Sequence, residues 1–189
     1  MERTLVLIKP DGVYRSLIGR VISKFEEAGL KVVALKLVKP SRKLVEEHYY
    51  ADKEWLESIG EKTLAAYEKE GKKLNETPLQ IGERVRSNLI RYLTDKPVVA
   101  MVVEGNEAIF IVRKLLGGTE PKTAEPGSIR GIFSSDSYAL SDSQGRSTRN
   151  IAHASGNAKD AEREIKIWFN DNEIISYKRA DEDAMFTEM

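Results

Sequence analysis

The chain has 189 residues, and 30 basic against 30 acidic side chains leave a formal charge of zero. At roughly 150 residues per domain this length points to one domain with additions, and an apolar content of 41% supplies a real core. Without cysteine there is no disulfide, zinc thiolate site, iron–sulfur cluster or cysteine nucleophile, and two histidines, His48 and His153, are a poor basis for an imidazole metal site.

Balanced charge argues against a duplex nucleic-acid binder, whose affinity rests on neutralising phosphates, so no specific nucleic-acid partner is expected. The longest apolar run, Val98–Val103, falls far short of the ~18 residues of a membrane span, so no membrane partner is expected either. Met1-Glu2-Arg3-Thr4 runs straight into apolar residues without the basic and long apolar regions of a signal peptide. A cytoplasmic protein is the expectation.

Thr4–Ile8 is β-branched and aliphatic and stops at Lys9-Pro10-Asp11-Gly12, which reads as a strand and its breaker. Ile18, Val21, Ile22 and Phe25 recur at helical spacing, with Gly29 where a helix ends. Val33, Leu35 and Leu37 alternate as a second strand closed by Pro40, and Ser41 stands to cap a short helix through about His48. Residues 53–95 read as mostly helical: Glu61–Glu70 consists of strong helix formers stopped by Gly71, and Thr77, Pro78 and Gln80 spell a capping box. That second helix carries an apolar stripe of Ile81, Val85, Leu89 and Leu93.

Pro97 then opens a buried strand, Val98–Val103, and Asn106 stands to cap the helix of Ala108, Val112 and Leu115, which ends at Gly117-Gly118. From Gly118 to about Arg149 the chain is rich in Gly, Ser, Pro and Asp without a period, a length of irregular chain that is functional or disordered in a compact domain. Asn150–His153 reads as a short strand. Asn157, with Asp160 three residues on, starts a final helix bearing Ala161, Ile165 and Trp168. The order β-α-β-(α)-α-β-α-β-α points to an α/β (α+β) ferredoxin-like sandwich with a four-stranded antiparallel sheet.

The residues permit two readings of their chemistry. No G-x-x-x-x-G-K-[ST] or G-x-G-x-x-G motif is present. Yet Lys9, Arg113, Thr119 and Arg130 all sit at element ends or in the long loop, where guanidinium forks and hydroxyls can converge on phosphate oxygens; scattered surface cations are the alternative. His153 closes a short apolar run. Imidazole is a competent nucleophile toward phosphorus, and Glu164, on helical spacing from Ala161 and Trp168, can point back to orient it; a satisfied structural histidine is the alternative. His48, beside Tyr49 and Tyr50, reads as structural.

Three blocks then carry a resemblance: Leu7-Ile8-Lys9-Pro10-Asp11-Gly12-Val13, Pro126-Gly127-Ser128-Ile129-Arg130-Gly131 and Asn150-Ile151-Ala152-His153-Ala154-Ser155. Together with Glu47-His48-Tyr49, Pro97–Gly105, Arg113 and Thr119, in order along nearly the whole chain, they make it similar to the nucleoside diphosphate kinases. The resemblance implies reversible transfer of a terminal phosphoryl group between nucleoside tri- and diphosphates, ping-pong through a phosphohistidine on His153. It implies Lys9, Tyr49, Arg113, Thr119 and Arg130 as phosphate contacts, Asn150 with Lys9 as sugar-hydroxyl contacts, and Glu164 with Ser155 as the pair that holds the histidine. It further implies Mg2+ brought by the nucleotide rather than a protein metal site, ATP, GTP and other nucleotides as partners, and a homo-oligomer, most often a hexamer. Against the family pattern, Gly156 replaces an Asp, a helical insertion fills about 53–91, the nucleotide-binding loop at about 118–149 carries extra Ser, Asp and Gly residues between Arg130 and Asn150, and Ser147 stands where an apolar base contact is common. Trp55 is the candidate aromatic to stack on the base.

Overall fold

The computed structural model describes residues 1–69 and 71–187. Residue 70, at the end of the expected helix Glu61–Glu70, lies outside the described residues. Four strands form one antiparallel sheet: β1 (Glu2–Ile8), β2 (Lys31–Val38), β3 (Val98–Gly105) and β4 (Ala152–Ala154), in the spatial order β2-β3-β1-β4. This is the ferredoxin-like arrangement expected. β1 and β3 lie at the centre and pair along their full length, from Glu2 opposite Gly105 to Ile8 opposite Val99. Val98–Val103 is apolar without interruption because both faces of its sheet are covered.

One face packs Val6, Ile8, Val99, Met101 and Val103 against α2 (Ile18–Glu27) and α6 (Ala108–Leu116). The other packs Leu5, Leu7, Val98, Ala100 and Val102 against α3 (Arg42–His48), the end of α5 (Pro78–Leu93), and α9 (Ala158–Trp168). The remaining helices are α1 (Pro10–Tyr14), α4 (Lys53–Lys69), α7 (Ile129–Phe133), α8 (Tyr138–Ser143) and α10 (Glu182–Phe186), with 3-10 turns at Pro121–Thr123 and Asp171–Glu173. None of the described helices is long and apolar enough to cross a membrane.

Several local signals act as read. Gly29 takes φ +79° just past α2, Ser41 accepts from Leu44 N, and Thr77 with Gln80 forms the full capping box. Asn157 caps α9 by accepting from Asp160 N, so Gly156 in place of Asp leaves a normal helix start.

Others need correction. Leu35 and Leu37 do not face the core: they are 52% and 63% exposed, because an extra residue between Val32 and Ala34 turns the outer half of β2 over, so that Val33 and Ala34 are buried instead. Asn106 does not cap α6; its N-terminus is preceded by Glu107 at φ 46°, and the Glu2 carboxylate of β1 takes the free Ile109 N–H at 2.8 Å. In α5, Ile81, Ile90 and Leu93 are buried, whereas Val85 and Leu89 are half-buried and line a cleft. The last strand is Ala152–Ala154 rather than Asn150–His153, and α10 follows the helix expected to be final.

The stretch from Gly118 to Arg149 is also not structureless. It holds a 3-10 turn, α7 and α8, whose N-caps Ser128 and Ser137 accept from Gly131 N and Leu140 N. Helices of five or six residues are too short to print a period on the sequence. Buried Asp136 pins the segment, taking two bonds from Arg146 at 2.6 and 2.9 Å and one from Arg149 N at 2.7 Å.

Candidate active site

His153 sits in the centre of edge strand β4, opposite Leu7 of β1. Because side chains alternate along a strand, Ala152 and Ala154 point into the first core while His153 shares the second face with Leu7. That face is where α3 and α9 end their packing, and they surround the ring. Its Nε2 lies 3.0 Å from Glu164 Oε2 on α9, the same oxygen that Ser155 Oγ reaches at 2.7 Å. A carboxylate accepts only, so Nε2 is the donor, and in the neutral ring the lone pair lies on Nδ1. Burial pushes the Glu164 carboxyl up, but His153, by proximity and by its hydrogen bond, followed by His48 and the Ser155 hydroxyl, outweighs burial and holds the group down at about 2.

His48 is not a bystander in the core. Its ring stands edge-on to His153 with centroids 4.7 Å apart, and its Nδ1 accepts from Trp168 Nε1 at 3.2 Å. Burial first, then the neighbouring His153, drives its pKa well below the ordinary value, so it stays neutral. Tyr49 completes the wall, its ring 6.2 Å from that of His153. His48 Nε2 and Tyr49 Oη are both buried without a hydrogen-bond partner.

The cations arrive from the chain segments on either side of β4. Lys9, the residue that follows β1, is 5% exposed and donates to Asn150 Oδ1 at 2.8 Å, and Asn150 Nδ2 donates to the Thr119 carbonyl at 2.9 Å. Arg130 on α7 spends three donors on the carbonyls of Gly117, Asn150 and Ala152, which binds the loop to the strand that carries the histidine. Burial, then Arg130, lowers Lys9 to about 8, and burial, with Arg113 adding to it, lowers Arg130 to about 10. Both remain mainly charged at neutral pH.

Ile151, just before β4, is a β-branched residue at φ 69°, in the left-handed region, a conformation that costs about 1–3 kcal/mol. It is held by its N–H to Asp11 Oδ2 at 3.0 Å and its carbonyl to Lys9 N at 2.8 Å. Gly12 lies against it: a Cβ there would stand 2.7 Å from Ile8 Cγ2 and 3.1 Å from the Ile151 carbonyl. This knot turns Asn150 and His153 toward the same space.

That space is a cleft of about 760 Å³ lined by Lys9, Tyr49, Trp55, Arg113, Thr119, Arg130, Asn150, His153 and Glu164. Every expected site residue therefore borders it except Ser155, which is fully buried behind the histidine. One wall is α4 and α5, with Trp55, Ile59, Val85 and Leu89; the other is the loop segment, with Tyr138, Asp142, Ser147 and Thr148. Sequence reasoning missed Asp11, Tyr92 and Arg149, whose links (Tyr92 Oη to Asp11 Oδ1 at 2.6 Å, Arg149 over the Tyr92 ring at 4.0 Å) join α1, α5 and the loop. His48 is structural as expected: it is buried, neutral and hydrogen-bonded to Trp168, with its ring packed against that of His153.

A sequence model described as nucleoside diphosphate kinase matches residues 2–64 and 78–174. The chain is 46% identical over 180 residues to a nucleoside diphosphate kinase of Pyrobaculum aerophilum, covering 93% of this chain and 98% of that one, and 44% identical over 182 residues to one of Borreliella burgdorferi, covering 96% and 95%. Among solved structures it resembles an NDP kinase from Pyrobaculum aerophilum (TM-score 0.86, 44% identity, 93% and 99% covered). It also resembles a transition state mimic of nucleoside-diphosphate kinase from Borrelia burgdorferi with bound vanadate and ADP (TM-score 0.80, 43% identity, 97% and 95% covered).

Proposed function

The chain belongs to the nucleoside diphosphate kinase family, a family of phosphotransferases, and from that premise we propose that it moves the terminal phosphoryl group from a nucleoside triphosphate to a nucleoside diphosphate, ping-pong, with His153 as the carrier. The observation that carries the reading is the bond from His153 Nε2 to Glu164, which leaves the other ring nitrogen as the nucleophile. Nδ1 attacks the γ-phosphorus, the bond from phosphorus to the β–γ bridging oxygen breaks, and the diphosphate leaves. The terminal oxygen of a second diphosphate then takes the phosphoryl group back. Glu164 balances the positive charge that the ring gains on phosphorylation, and Ser155 keeps the carboxylate in register.

Lys9, Arg113 and Arg130 offer charge where the phosphates would lie, with Thr119 and the otherwise unpartnered Tyr49 hydroxyl as neutral contacts. Phosphoryl transfer needs positioning and charge stabilisation above all, and this set supplies both. Asn150 and Lys9 suit the sugar hydroxyls, and Trp55, 6.3 Å from Tyr49, suits the base. Mg2+ prefers oxygen ligands. Around the histidine the group of metal-capable side chains is His48, His153 and Glu164, two imidazoles and a committed carboxylate, and the Asp11 carboxylate is taken by Tyr92 and Ile151. This donor set fits an ion carried on phosphate oxygens beside Lys9, Arg113 and Arg130; when bound it would neutralise charge on the phosphates being parted.

The test is a phosphoenzyme trap. With γ-labelled ATP and magnesium, the protein should take label that is acid-labile, base-stable and discharged by GDP, and the His153→Ala variant should take none. Label retained by a folded His153→Ala variant would overturn the assignment. We further propose a homo-oligomer, a hexamer by family pattern. The exposed Leu35 and Leu37 on an edge strand are compatible with contact between copies, and sedimentation at monomer mass would exclude it.

A further inference from the structure

The two walls of the cleft are not independent. Asp142 of α8, on the loop wall, takes the Tyr67 hydroxyl of α4 on Oδ2 at 2.6 Å and Arg84 Nη1 of α5 on Oδ1 at 2.8 Å. Arg84 is itself fixed by a two-pronged bond to Glu76, both prongs 2.9 Å long. A single surface ion pair contributes little; a carboxylate with each oxygen engaged by a different element, one through an arginine that Glu76 holds by two bonds, is a geometric constraint. Nearby, Arg91 of α5 also donates to the Gly145 carbonyl just beyond α8.

This junction stands at the end of the cleft away from the chemistry. Trp55 lies close to Tyr49 and so to His153, and Tyr67 comes twelve residues later, about 18 Å along a helix rising about 1.5 Å per residue. Moreover, α4 and α5 behave as one body: a Cβ on Gly60 would meet the Pro78 backbone at 1.9 Å and one on Gly82 the Leu56 carbonyl at 2.2 Å, so the two helices touch backbone to backbone. Tyr67 and Glu76 both lie in residues 65–77, the internal stretch that the family model leaves unmatched.

We propose that Asp142, Arg84 and Tyr67 form a tie that closes the base end of the nucleotide cleft, a positioning device that holds the helical hairpin against the loop and so sets nucleotide affinity without touching the reacting groups. The proposal rests on the nucleotide lying with its terminal phosphate at His153. Cutting the tie lets the walls separate, which weakens binding of the base while leaving the floor intact.

The experiment is steady-state exchange with GDP as acceptor, on Asp142→Ala, Arg84→Met, their double variant and Tyr67→Phe. Asp142→Ala and Arg84→Met should each raise KM about tenfold with kcat changed less than twofold, and the double variant should be no worse than the poorer single, the mark of two residues acting through one link. Tyr67→Phe should move KM the same way by less. KM changed less than twofold in every folded variant overturns the tie, as does a kcat that falls by as large a factor as KM rises. A second arm uses phosphoramidate, a phosphoryl donor without sugar or base: the tie variants should label like the wild-type chain with it and more slowly with sub-saturating ATP, and equal slowing with both donors overturns the proposal. If the wild-type chain exchanges phosphate but takes no label, the phosphohistidine fails while the KM arm still decides the tie.

Discussion

The two ends of the cleft are built by different means. At the phosphate end, the side chains stand on or beside the central strands, and their orientation follows from backbone register: Leu7 pairs with His153, and Lys9 follows Ile8 directly. Much of the polar set there is buried and mutually bonded, from Lys9 with Asn150 to Glu164 with His153 and Ser155, while Arg113 and Thr119 are exposed and the Tyr49 hydroxyl is buried without a partner. At the base end, the walls are a helical hairpin and an irregular loop, joined by half-exposed side chains such as Arg84 and Asp142. On the proposed function, the sheet end carries the chemistry, and the hairpin and loop carry the recognition. A change at the first end should therefore be read in kcat, and one at the second in KM.

The largest break in this contrast is His153→Ala, which should lower exchange by about 10⁴-fold or more with the fold intact, since removing a nucleophile leaves only binding and charge stabilisation. Circular dichroism alongside the assay checks that the fold survives. Glu164→Gln comes next: an amide can donate to Nε2 and favour the wrong tautomer, so kcat should drop about 10²-fold with KM little changed. A KM effect as large as the kcat effect would put Glu164 in binding instead.

Acidity offers a third handle. Glu164 is lowered from 4.5 to about 2, so its contribution to stability is full above pH 4.5 and lost as the pH falls from there toward 2. Lys9 has the opposite chemistry. Burial lowers it from 10.5 to about 8, so its charged form is the disfavoured one in the folded chain, and stability gains as pH rises from about 8 to 10.5. Phosphate binding needs that charge, hence kcat/KM for ADP should fall up to about tenfold per pH unit above 8, and a Lys9→Met variant should show a flat profile there at a much lower level. The smallest effect belongs to the base end. Trp55→Ala should raise KM for all nucleotides about three- to tenfold, as expected for lost stacking, and leave kcat within twofold; a fall in kcat instead would dissolve the distinction between the ends.

Much of this was legible in the residues because the signals are local. The capping box at Thr77-Pro78-Gln80, the Ser41 and Asn157 caps, the turn at Gly29 and the unbroken run Val98–Val103 each act within a few residues of themselves. The order of strands and helices read from these local patterns carried the fold, and the three blocks around Lys9, Arg130 and His153 carried the family. Misreadings came where the deciding contact is distant. Glu2 caps α6 from 107 residues away, one extra residue in β2 reverses which side Leu35 and Leu37 face, and the helices of the long loop are held by Asp136 rather than by a period.

By itself, then, the sequence determined the three longer strands, the longer helices, the chemistry available and the family, since these depend on residue type and short-range spacing. Only the tertiary structure decided which nitrogen of His153 stays free, that His48 stands against it neutral, that Lys9 is buried to a pKa of about 8, and that Asp142 joins the two walls. Each of these depends on groups brought together from far along the chain, where burial and a neighbour's charge act over a few ångströms of space and leave no mark on the spacing of residues.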